Sequence, residues 1–291
     1  MRKSMLLSVI LCFLPLFGHG HNYAQTPIDT KINTDTQPFS TKDHNGYVTY
    51  LGNEALFIEV DNEKLLFDPF FHDNFGIYQL VPSEIKTNIM QGVAPYNDID
   101  TIFISHAHSD HFAVDELITY LTQFRQTNLV ASKQAIDKVK AELARQKNVI
   151  KDERLIAVDL AFGAKPWQYT LGKLTIDAVR IPHAGWPSRA DVENLVFRVT
   201  INNSHTVMHM GDADPDDEHY LPYQQFWQKK VTDINFPPYW FLYSAQGQNI
   251  LDNIIAAKQN MGIHVPMNVP KLLQKSGRGY FSKPQQQLHL Q

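Results

Sequence analysis

The residues best suited to chemistry lie in one run, His106-Ala107-His108-Ser109-Asp110-His111. Three imidazoles and a carboxylate within six residues serve neither a core nor a surface turn well. Neutral imidazole and carboxylate are good ligands for Zn²⁺, Mn²⁺ or Fe²⁺. The run follows an apolar stretch, Ile99 to Ser105, and precedes a helical pattern. In extended backbone His106 and His108 point the same way, because side chains alternate with period two. Asp110 and His111 fall where the chain turns and can face a second ion.

Three further acid and histidine positions close apolar strand-like segments in the same way. Asp68 ends Leu66-Phe67-Asp68-Pro69, His183 follows Ile181-Pro182, and Asp212 ends His209-Met210-Gly211-Asp212. In this order they resemble the metal motifs of the metallo-β-lactamase superfamily, from Asp68 to His264. The resemblance implies an αββα four-layer sandwich of α+β class and a dinuclear centre. His106, His108 and His183 would hold the first ion. Asp110, His111 and His264 would hold the second, with Asp212 bridging and Asp68 fixing a ligand imidazole by a hydrogen bond. Asn268, in Val265-Pro266-Met267-Asn268, competes for the last position if a Pro-x-His register applies. Imidazole is the better ligand, so His264 is expected there.

Two divalent ions, zinc first and manganese or iron as alternatives, would generate a metal-bound hydroxide at neutral pH. That nucleophile would attack an ester, lactone or phosphodiester. Asp110 and Asp212 are the expected catalytic carboxylates, with Asp110 as a proton acceptor by its position. Tyr239, in Pro237-Pro238-Tyr239-Trp240, is a candidate donor to substrate, with packing under a loop an equal reading. His209 is expected beside the centre rather than in it. His72, His205, His219 and His289 lack such neighbours and read as surface residues.

Departures from subfamily patterns narrow the branch. Flavodiiron carriers usually have an acid where His108 stands. True β-lactamases of the superfamily lack the acid that Asp212 resembles, which leaves a periplasmic β-lactamase-like enzyme as an alternative. Gly211-Asp212-Ala213-Asp214 and Pro238-Tyr239-Trp240-Phe241 resemble the branch containing ascorbate-phosphate lactonase and N-acylphosphatidylethanolamine phospholipase D. A non-catalytic metal-binding module of the same fold is the other alternative, although all seven ligand positions are filled.

The elements that position these groups are legible as short strands at 47–51, 55–60, 64–68 and 128–131. Others follow at 155–160, 167–171, 174–181, 195–201, 206–210 and 233–236. Helical periodicity covers 113–124, 133–146, 216–228 and 249–259. A long aromatic loop spans 69–97; its Phe70, Phe71, Phe75 and Tyr78 could roof the cleft, pack inward or meet a lipid substrate.

The chain has 291 residues, 43% hydrophobic and 19% charged, as in ordinary globular proteins. It opens with Arg2 and Lys3, an apolar run from Met5 to Phe17, then Gly18, Gly20 and Ala24. That is the order of a secretory signal peptide, expected over 1–24, and the run is short for a membrane span. Its removal takes the formal charge from -4 to -6 and removes Cys12, the only cysteine. No disulfide and no thiolate ligand then remain. Export to the periplasm or beyond is expected, with a small-molecule or lipid substrate. An acidic chain is a poor partner for nucleic acid. Residues 25–45 read as a flexible lead-in, 46–275 as the metallo-hydrolase domain and 276–291 as a frayed tail.

Overall fold

The computed structural model describes residues 46–290. The expected signal peptide and lead-in lie outside the described residues. Within them the apolar segments pair into two sheets. The first runs in the order β13-β1-β2-β3-β4-β5-β6 and the second β12-β11-β10-β9-β8-β7. The first sheet comprises β1 (Tyr47–Gly52), β2 (Ala55–Val60), β3 (Glu63–Phe67), β4 (Thr101–Ile104), β5 (Asn128–Ser132), β6 (Leu155–Val158) and β13 (Gln287–His289). The second comprises β7 (Trp167–Leu171), β8 (Leu174–Arg180), β9 (Leu195–Ile201), β10 (His205–His209), β11 (Ile234–Phe236) and β12 (Gln259–Asn260).

Period-two alternation sorts the side chains into layers. Ile102 and Ile104 of β4 join Leu117, Leu121, Ile136 and Val139 beneath α2 (Val114–Gln123) and α3 (Lys133–Gln146). Phe103 between them points the other way, into a core shared with Phe197, Val199 and Phe236 of the second sheet. The far face of that sheet, with Met208 and Met210, packs on Trp227 of α4 (Gln224–Lys229) and on Ile250 and Ile254. Three apolar layers thus separate four layers of structure, giving the αββα sandwich. Strands β3 to β6 are parallel, as are β10 to β12, and their carboxyl ends lead into the loops that carry the acids and histidines. The crevice beyond such strand ends is where open α/β sheets place ligands.

The structure departs from the sequence expectations in four places. Residues 69–97 contain a helix, α1 (Ser83–Gln91), whose Ile85 and Ile89 are buried although its intervening residues are polar. The segment 216–228 is two short 3-10 turns before α4, with Pro222 in the second; proline's missing N–H blocks a continuous α-helix. The 249–259 segment is split between α5 (Ala245–Asn249) and a π-helical turn, Ile250–Ile255, ending at Ala256 in the left-handed region. The tail is not frayed. β13 pairs antiparallel with β1, Phe281 stacks on Tyr50 at 5.4 Å, and Leu290 is buried. Burial of these two apolar residues, together with main-chain pairing, offsets the disorder expected of a Gln-rich segment.

Candidate metal centre

β4 delivers the histidine run to the mouth of the crevice. Beyond Ile104 the chain leaves the sheet, and His106, Asp110 and His111 are buried. Asp68 leaves the neighbouring parallel strand at the same level. Its Oδ1 accepts from Ser105 N at 2.8 Å, and Oδ2 accepts from Ser105 Oγ. Oδ2 also lies 3.0 Å from His111 Nδ1. This contact leaves His111 Nε2 facing the crevice, 3.4 Å from Asp110 Oδ2. Asp68 adopts φ 42°, a left-handed conformation that aspartate tolerates better than most residues.

From the second sheet come His183, Asp212 and His264. The Asp212 N–H donates to Asn194 Oδ1 at 3.0 Å, and Asn194 Nδ2 donates to Met210 O at 3.2 Å. Gly211 before it has φ 55°, and a Cβ there would sit 2.4 Å from Asn194 Oδ1 and 2.8 Å from Ser105 Cβ. Only glycine meets both demands.

The two oxygens of Asp212 face opposite groups. Oδ2 is 3.1 Å from His183 Nε2 and 3.8 Å from His106 Nε2. Oδ1 is 3.0 Å from His264 Nε2 and 3.6 Å from His111 Nε2. His108 Nδ1 lies 3.1 Å from His106 Nε2. The ligand atoms of His106, His108, His183 and Asp212 all fall within 4.8 Å of one another, as do those of Asp110, His111 and His264. The structure thus brings together His106, His108, Asp110, His111, His183, Asp212 and His264. Asn268 is exposed, whereas His264 is buried with its ring 4.0 Å from Tyr78.

Electrostatics divide the groups. Burial, reinforced by the neighbours His111 and His183 respectively, pushes the imidazoles of His106 and His108 down; His108 falls to about 4. Both offer free lone pairs at neutral pH. Burial alone would also lower His111, but the Asp212 and Asp110 carboxylates outweigh it and hold His111 well above the ordinary histidine value. Burial opposes ionisation of Asp212, yet His264 and His111 keep it well below the usual carboxylate range. Asp110 is lowered by His111 despite its burial.

The donors fit divalent ions. Nε2 of His111, His183 and His264, and Oδ1 of Asp212, are buried and make no well-aligned hydrogen bond among the described residues. Uncommitted buried polar atoms are costly unless something else satisfies them. An all-imidazole and carboxylate set suits a transition metal ion.

Several neighbours escaped the sequence reading. Glu54, between β1 and β2, is fully buried, with Oε2 3.7 Å from His111 Nδ1. Asn53 Nδ2 donates to Asp110 O, and Asn53 O accepts from His264 N, both at 2.9 Å, tying the two histidine loops together. An Asn-Glu pair between strands reads as an ordinary turn, so only the downstream acids hinted at a site. His209 lies outside the centre: Nε2 donates to Glu54 O at 3.0 Å, and Nδ1 accepts from Gly211 N at 3.2 Å. Tyr239 is half-buried beside Tyr243 and Trp240. Phe70 and Phe71 pack in the core, leaving Phe75 and Ile77 exposed and Tyr78 against His264. His72 is exposed beside Asp115, while His219 is only partly exposed, beside Trp186.

A family model described as a beta-lactamase superfamily domain matches residues 47–238. Comparison with curated proteins finds no match. Among solved structures, the short form of human tRNase Z is similar at 13% identity and TM-score 0.55, covering 84% of this chain and 99% of that one. Igni18, a metallo hydrolase from Ignicoccus hospitalis, is similar at 12% identity and TM-score 0.52, covering 85% and 99%. The diiron beta-hydroxylase CmlA of Streptomyces venezuelae follows at 12% identity and TM-score 0.50, covering 86% of this chain and 55% of that one. At such identities these likenesses speak for the fold. The family match covers most of the described sheets and all but one of the metal-type ligands: the chain belongs to the beta-lactamase superfamily and is a metallo-hydrolase of that fold.

Proposed function

We propose that this chain is an exported dinuclear hydrolase acting on an ester, lactone or phosphodiester bond. The observation that carries the reading is Asp212, whose two oxygens each face a separate group of imidazoles. His106, His108 and His183 would hold one ion; Asp110, His111 and His264 would hold the other; Asp212 would join them. Two divalent ions there would acidify water and neutralise charge developing on a substrate oxygen, with zinc the first assignment and manganese or iron the alternatives.

The chain's own groups do the rest. Asp68 holds His111 by Nδ1, so its Nε2 stays turned to the crevice. Asp110 is ionised and stands 3.6 Å from His264 Nε2, and its Oδ2 would accept the proton of an attacking water. Burial raises the phenols of Tyr78 and Tyr239, so both remain hydrogen-bond donors at neutral pH. Their position near Asp212 makes them candidate donors to the substrate's leaving or carbonyl oxygen. Exposed Phe75, Ile77 and Met267 lie on the Tyr78 and His264 loops, which favours a substrate with an apolar portion.

The branch with lactonase and phospholipase D activities remains our preferred one. No helix among the described residues is long and apolar enough to cross a membrane. The solved fold also occurs in human tRNase Z. The formal charge of -4 is our ground for placing nucleic acid behind small molecules and lipids as substrate. Export over residues 1–24 is tested by N-terminal sequencing of the chain recovered from a periplasmic fraction.

The deciding experiment is elemental analysis of wild type and Asp212→Ala after metal supplementation. About two equivalents of transition metal per chain, falling clearly in the variant, are expected. One equivalent or less in wild type would refute the dinuclear reading. Screening of lactones, phosphodiesters and a β-lactam on the loaded chain then separates the enzyme readings from a non-catalytic module. For Asp110→Asn, activity is expected to fall further than metal content; an equal fall in both removes the separate proton-accepting role.

A further inference from the structure

Glu54 has no role in the centre as described, yet its position is unusual for a glutamate. It is fully buried, and neither carboxylate oxygen makes a hydrogen bond among the described residues. Oε2 lies 3.7 Å from His111 Nδ1 and 3.8 Å from His209 Nε2. One of its oxygens falls within 4.8 Å of both an Asp212 oxygen and a His264 nitrogen, which are themselves groups of the second position. Leaving a carboxyl group buried without a hydrogen-bond partner is expensive. His209 cannot satisfy it, since both ring nitrogens are bonded to main-chain groups. The hairpin that carries Glu54 is itself clamped, because Asn53 bonds to Asp110 and His264 on either side.

The two ion positions are then chemically unequal. Around the first stand the imidazoles of His106, His108 and His183, with one oxygen from Asp212. Around the second stand two imidazoles, His111 and His264, with oxygens from Asp110 and Asp212, and Glu54 adjoins it on the Asp212 and His264 side. Imidazole-rich sets suit zinc, whereas added carboxylate oxygens shift a site toward harder ions such as manganese. We propose that Glu54 supplies a further carboxylate ligand to the Asp110/His111/His264 position and makes that position the one that accepts Mn²⁺. The proposal rests on the dinuclear reading of the centre.

The test uses the metal-free full chain, given one equivalent of Zn²⁺ and then titrated with Mn²⁺, followed by electron paramagnetic resonance. Wild type is expected to bind a single Mn²⁺. In Glu54→Gln, which keeps the shape and removes the charge, Mn²⁺ affinity should fall about tenfold or more while the first Zn²⁺ equivalent is retained. A folded Glu54→Gln chain with wild-type Mn²⁺ affinity overturns the assignment and leaves two ions in place. A second measurement needs no variant. Wild type grown with 13C-carboxyl glutamate should show 13C coupling to the bound Mn²⁺ by electron–nuclear double resonance. Glu54 is the one glutamate in the His/Asp groups among the described residues, so the label is selective. Absence of that coupling also overturns the proposal. A wild-type chain that takes up no second ion of either kind brings down the dinuclear reading, and the proposal with it.

Discussion

Asp68→Asn separates what the second carboxylate layer does from what the ligands do. The exchange keeps size and tolerates the positive φ of 42° at this position. It cannot keep the bonding pattern. Asp68 accepts three times, from Ser105 N, from Ser105 Oγ and from the His111 Nδ1 side. A carboxamide with its oxygen toward Ser105 N turns its NH₂ toward Ser105 Oγ and His111 Nδ1. Those groups would have to become acceptors, and an accepting Nδ1 moves the His111 proton to Nε2. That nitrogen then has no lone pair for an ion. Metal affinity at the second position should fall about 10–100-fold, or about 1.4–2.8 kcal/mol at 1.4 kcal/mol per factor of ten. The metal-free chain should lose a further 1–3 kcal/mol or so if one buried donor is stranded instead. Chelator competition reads the affinity, and 15N shifts of labelled histidine read the tautomer. A variant with wild-type affinity at both positions and an unchanged His111 tautomer would refute the reasoning.

Two further outcomes follow from the same geometry. In the metal-free chain His111 is held above its ordinary 6.5 by Asp212 and Asp110, against burial. A raised histidine contributes stability that is full below the unfolded value and is lost as pH rises through the folded one. The melting temperature of the metal-free chain should therefore decline as pH rises above 6.5, and loading with Zn²⁺ at neutral pH should release a proton to a pH indicator. A flat profile together with no proton release would show that His111 is neutral before the ion binds. Phe281→Ala should cost about 3–5 kcal/mol, because the ring is buried and stacked on Tyr50. Denaturant unfolding measures it, and a change under 1 kcal/mol would restore the tail to a frayed segment.

Much of the site was legible in the sequence because its residues are of types that chemistry, not packing, selects. His106, His108, Asp110 and His111 sit within one short run after a buried strand, so their spacing alone points to ligands. Helices α2 and α3 also lie almost where their periodicity places them, since each buries an apolar stripe at helical spacing. α1 stayed hidden because only Ile85 and Ile89 carry its buried face, too short a stripe to read among polar residues.

What the sequence by itself determined, then, is the local supply: the apolar alternation that builds two sheets, and the metal-type donors at the ends of particular strands. The tertiary structure alone decided which donors meet. His264 rather than Asn268 enters the centre because the loop after Ile263 is held by Asn53 from the other sheet. Glu54 reads as a turn residue until β1 and β2 bury it against His111 and against His209, 155 residues further along the chain. The tail becomes a strand because β1 presents an unpaired edge and a ring for Phe281. Each of these depends on contacts between distant segments, whose favourable energy appears only once the fold has closed the intervening chain.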